Sequence, residues 1–150
     1  MAIFVNKIEI TDAEIGQEMQ YHPAPAQKRA WHMAAQSLVI RQLLLQQAAS
    51  NGLCGEVASV APGEDEKLID QLLEQDVIVP EADGATCQRF YDNHPNSFLD
   101  EKTGERVAFE HAHANIRDYL HTKAMRIAVA EYIKALSYGA DIKGFELDNL

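Results

Sequence analysis

Six histidines and two cysteines are the side chains in this sequence best suited to metal binding, proton transfer or nucleophilic attack. His111, His113 and His121 share one stretch. His111 and His113 stand two apart and so face different sides of a helix, and His121 lies more than two turns beyond His113. A metal site on a helix wants ligands one turn apart, and neither HxxxH nor HExxH occurs. Cys54 and Cys87 are far apart in the chain and form no CxxC pair. The pattern reads as solvent-facing helix histidines and a reduced thiol pair, with no metal and no cofactor implied.

Covalent chemistry finds no better support. There is no GxSxG, neither cysteine carries a local catalytic signature, and the eight glycines form neither GxGxxG nor GxxxxGK[ST]. Acidic pairs such as Asp65/Glu66 and Glu74/Asp76 read as a solvated helix face. What remains is apolar. Met19, Tyr21, Trp31, Met33, Phe90 and Phe98 gather near helix ends and breaks, where flexible or aromatic side chains suit a surface that repacks around different partners. Leu53 and Val77 join them as the starts of two irregular apolar links, Leu53 to Ala61 and Val77 to Pro80. These eight residues are the candidates for peptide binding.

The elements that must position them follow from periodicity. Phe109 to Leu136 runs without Pro or Gly and repeats apolar residues at Phe109, Ile116, Leu120, Ala124, Ile127 and Ala130, widened by Val129, Tyr132, Ile133 and Leu136, which predicts one long helix. Gly139 is expected to take the left-handed conformation that ends it. Ala140 to Leu147 then alternates as a strand, and Ile3 to Ile10 does the same around an Asn6-Lys7 turn. Each is too short to stand alone, so the two termini are expected to pair. Between them, Thr11-Asp12-Ala13-Glu14 has the form of a capping box, and Tyr21-His22-Pro23-Ala24-Pro25 breaks the helix it opens. Helices are predicted from Gln27 to Asn51, Glu64 to Gln75 and Glu81 to His94, with a polar bridge from Asn96 to Arg106. The fold class is mostly α, with short terminal strands.

At 150 residues the chain is expected to form a single domain. Its formal charge of −10 disfavours a polyphosphate or anionic-lipid partner, so neither nucleic acid nor membrane is expected. Met1-Ala2-Ile3-Phe4-Val5-Asn6-Lys7 lacks the pattern of a secretory leader, and no apolar run approaches the roughly 20 residues of a membrane span. A cytosolic location is expected.

Several stretches resemble the chaperone portion of the SurA-like and parvulin-type peptidyl-prolyl isomerases, a family that includes accessory factors for metalloenzyme maturation. They are Val5 to Ile10, Ala34 to Ala48, Asp65 to Pro80, Gln88-Arg89-Phe90-Tyr91-Asp92-Asn93-His94-Pro95 with Phe98, and Phe109 to Leu147. In that family a catalytic isomerase domain separates the last two. Here only Asn96 to Ala108 joins them, and the catalytic histidines have no counterpart. The resemblance implies a helical peptide-binding chaperone module without its isomerase domain, and a fold that brings its termini together. The expected activity is non-catalytic binding of non-native or client polypeptide. The alternatives are an assembly protein dedicated to one folded partner, self-association into a homodimer, and, less favoured, residual proline isomerisation.

Overall fold

The computed structural model describes residues 2–148 and 150. Five α-helices and one small antiparallel sheet form among these residues. They pack as two compact units, Met1–Val77 with Val129–Leu150, and Ile78–Ala128. No helix among the described residues is long and apolar enough to cross a membrane.

The first unit begins with the hairpin of β1 (Ile3–Val5) and β2 (Ile8–Ile10), paired Ile3 to Ile10 and Val5 to Ile8. Its two-residue turn places Asn6 at φ 57°, a left-handed conformation that asparagine tolerates better than most residues. The short strand β3 (Ile142–Lys143) adds antiparallel to β1, so the sheet order is β2-β1-β3 and the termini do pair. The expected strand to Leu147 is cut short. Gly144 takes φ 80°, turning the chain out of the ladder, and it is this glycine rather than Gly139 that adopts the left-handed conformation.

Helix α1 (Asp12–Glu18) opens with the full capping box: Glu14 N–H donates to Thr11 Oγ1 at 3.2 Å, and Thr11 N–H donates to Glu14 Oε2 at 2.8 Å. Such a cap contributes about 1 kcal/mol. The chain tightens into one 3₁₀ turn at Met19–Tyr21 before Pro23. Helix α2 (Gln27–Ser50) buries Ala30, Ala34, Ala35, Val39, Leu43, Leu44, Leu45 and Ala48. That breadth is expected of a helix touched on several sides. It meets Ile3, Val5, Ile10 and Ile15 in one cluster. In a second, Leu44 and Ala48 meet Leu72 of α3 (Asp65–Asp76) and Ile133. Each fully buried Leu, Ile or Val contributes about 1.5–3 kcal/mol.

In the second unit, α4 (Gly84–Asn93) starts three residues later than the apolar pattern predicts, because Asp83 accepts a hydrogen bond from Thr86 N–H at 2.8 Å and fixes the N-cap there. Hydrogen bonds from Thr86 hold the Asp83 carboxyl below its ordinary pKa. The predicted polar bridge folds back on itself. Leu99 and Arg106 form a β-bridge, Val107 N–H donates to Phe98 O at 2.6 Å and Asp100 N–H to Glu105 O at 2.8 Å. Cys87 and Tyr91 pack with Ala112 and Ile116. Those last two belong to α5 (Phe109–Tyr138), the predicted long helix. Its residues to Ala128 belong to this unit and those from Val129 to the first. Ile127, placed on the buried stripe by periodicity, is 53% exposed.

Candidate functional site

The eight candidate residues separate into distinct settings. Met19 and Trp31 pack against the first-unit core around Ile3 and Ile15, and Leu53 packs beside Leu44 and Leu72. Val77 is buried. Tyr21 is 71% exposed, beyond the last turn of α1. Met33 lines a groove on the first unit, while Phe90 and Phe98 line another on the second. The structure therefore joins Phe90 with Phe98 and gathers the others at neither groove except Met33.

The second-unit groove has a volume of about 610 Å³. Its wall is built by α4, by the turn at Phe98 and by the face of α5 that carries Asn115, Tyr119 and Lys123 at successive i, i+4 positions. Phe90 is the hub. Its ring lies 6.1 Å from Phe98, 5.5 Å from Tyr119 and 4.1 Å from the stacked imidazole of His94. Aromatic pairs at these distances contribute about 0.5–1.5 kcal/mol each beyond their burial. Tyr91, one residue on, also packs against Phe98, ring to ring at 5.2 Å; its hydroxyl donates to Val107 O at 2.5 Å and its ring carries the Arg106 guanidinium at 3.8 Å. Arg106 also donates to Tyr91 O at 2.5 Å. These bonds fasten the turn that presents Phe98.

What this arrangement offers a ligand is aromatic faces, with Lys123, Asn115, Ser97 and His94 as polar groups at its wall. Tyr119 is 53% exposed. An apolar side chain entering here would be removed from water against three rings. No side-chain hydrogen bond among the described residues joins a serine, threonine or cysteine to a histidine ring. No three His, Cys, Asp or Glu side chains there are grouped to hold a metal ion.

The first-unit groove, about 890 Å³, runs along the N-terminal half of α2. Met33, Ile40 and Ala26 supply its apolar part, with Lys28, Arg29 and His32 beside them. Asp148 also lines it, its Oδ1 3.1 Å from His32 Nε2. His22, another lining residue, is 3.2 Å from Glu18.

Sequence reasoning passed over Tyr119 and His94 in one groove and Lys28, Arg29 and Ile40 in the other. Two signals were present. Phe90 and His94 are spaced i, i+4, and Asn115, Tyr119 and Lys123 repeat at the same interval. Their long helix is apolar around so much of its circumference that no periodicity marks Tyr119 as part of a separate surface.

Compared with models of protein families, with curated proteins and with solved structures, the chain matches none.

Proposed function

We propose that this chain is a non-catalytic, chaperone-like module that binds non-native or client polypeptide in the cytosol. The observation that carries the reading is the groove in which Phe90, Phe98 and Tyr119 turn three aromatic rings toward one space. Aromatic side chains bind diverse apolar residues because the gain scales with area removed from water and demands little directional fit. The half-exposed ring of Tyr119 leaves room for an incoming side chain to complete the packing. The resemblance of Gln88 to Pro95, with Phe98, to the SurA-like chaperone module supports the same reading, since Phe90, His94 and Phe98 of those residues line this groove.

The test is suppression of light scattering as a chemically unfolded protein is diluted from denaturant into stoichiometric amounts of this chain. Wild type is expected to suppress it, Tyr119→Ala to weaken suppression several-fold, and Phe90→Asp to remove it. Circular dichroism of each variant separates lost binding from lost fold, and the exposed Tyr119 is the safer site on that account. Full suppression by a folded Tyr119→Ala and Phe90→Asp pair would overturn the groove. No suppression by wild type would favour a single dedicated partner or a second copy, to be sought by pull-down and sedimentation.

A further inference from the structure

We propose that the groove along α2 in the first unit is a second and separate binding site, for an extended polypeptide segment that alternates or mixes acidic with apolar residues. It is independent of the aromatic groove of the second unit. Three observations converge on it.

The charge around it runs against the rest of the chain. The net charge is −10, yet Lys28 and Arg29 line this groove, and among the described residues neither has a carboxylate within ion-pair distance. The carboxylates nearby are engaged. Asp148 faces His32 at 3.1 Å, and Glu18 is held by His22 at 3.2 Å and Arg41 at 3.7 Å. Lys28 and Arg29 also stand in the first turn of a 24-residue helix, where the backbone dipole disfavours cations. The helix end does not favour them, and, unpaired among the described residues, they are available to an anion.

The floor is apolar, with Met33 38% exposed and Ile40 and Ala26 beside it. A small inorganic anion would leave that surface wet, whereas a peptide carrying both side-chain types would cover it and meet the cations together.

The chain's own last residues show how α2 reads an extended acidic segment. Gln36 Nε2 donates to Asp148 O at 2.7 Å while Asp148 N–H donates to Gln36 Oε1 at 3.1 Å, so one amide captures both backbone groups of one residue. His32 meets that residue's carboxylate, and the same imidazole lies 5.0 Å from the ring of Phe145. An acidic residue and an apolar one of a non-helical segment are thus already seated on α2. The groove continues from that seat toward Met33, Arg29 and Lys28.

The probe is a fluorescein-labelled ten-residue peptide with three Asp and three Leu spaced by Ser and Gly, followed by fluorescence polarisation. The control carries Lys in place of Asp. The acidic peptide is expected to bind at least ten-fold more tightly than the control and to weaken as salt is raised. The double variant Lys28→Glu with Arg29→Glu should lose at least ten-fold. Its fold is protected because acidic residues suit a helix N-terminus. Tyr119→Ala should keep the ten-fold preference for the acidic peptide over the control. Equal binding of both peptides, an unaffected double variant, or loss of that preference in Tyr119→Ala would each overturn the proposal. So would a dimer in sedimentation that the double variant abolishes, which would make a second copy the occupant.

Discussion

Asn6 and Asp141 hold each other by two hydrogen bonds across 135 residues of sequence: Asn6 N–H donates to Asp141 O at 2.7 Å, and Asp141 N–H donates to Asn6 Oδ1 at 3.0 Å. Asn6 Nδ2 also donates to Gln46 Oε1 of α2 at 2.6 Å. One side chain therefore ties the hairpin turn to the C-terminal strand and to the central helix. Asn6→Ala removes both side-chain bonds and leaves an alanine at φ 57°, for an expected loss of about 2–3 kcal/mol. Asn6→Gly loses the bonds but not the backbone fit, and should cost about half as much. Urea unfolding of the two variants measures the split, and equal losses would show that the left-handed turn carries no strain for alanine.

Gly144 is the more demanding position. At φ 80° it already disfavours any side chain, and a Cβ built there would be driven into the carbonyl oxygen of Ala2. Gly144→Ala should therefore cost more than about 2 kcal/mol and separate β3 from β1. Gly52 has the same φ with open space around it, so Gly52→Ala should cost only about 1 kcal/mol. Thermal melts of the pair distinguish backbone collision from conformational strain, and similar losses would contradict the collision.

Tyr132 gives unit one a pH-dependent contribution. Its hydroxyl donates to Asp76 Oδ2 at 2.6 Å, and Asp76 also accepts from Asn51 Nδ2 at 3.0 Å. Burial first, and then the bond to Asp76, raise the phenol well above its ordinary pKa of 10.0. A raised folded-state pKa means that the stabilisation is complete below the unfolded value and is lost as pH rises above about 10 toward the folded one. Tyr132→Phe should cost about 1 kcal/mol at pH 7, from the lost hydrogen bond. That difference should shrink as unfolding is measured at pH 10 and above, and a difference constant across the range would refute the coupling.

The two thiols should respond differently to a thiol reagent. Both are free, Cys87 fully buried and Cys54 partly exposed. Native protein should titrate one thiol quickly, and the second only on addition of denaturant. Cys54→Ser should abolish the fast phase. A fast phase retained in that variant would place Cys87 within reach of solvent in the native state.

The sequence by itself determined the elements whose causes are local. The Thr11 capping box, the Pro23 break, the Asn51-Gly52 stop of α2 and the uninterrupted run of α5 each depend on residues within a few positions of one another, so their chemistry is visible in the string. Terminal pairing was legible too, because two short alternating segments have no other means of stability. Where a strand ends, which face of α5 is covered and which aromatics meet depend on contacts between distant residues. Gly144 ends the ladder by its φ of 80°, and Ala2 leaves no room there for a side chain, a neighbour that no local pattern reports. Phe90 and Phe98 share a groove with Tyr119 because the Arg106–Tyr91 contacts fold the polar bridge back, whereas Met19 and Trp31, of the same chemical type, are drawn into the core around Ile15. Residue type sets what a side chain can do; only the tertiary structure decided which of them were spent on packing and which were left facing a groove.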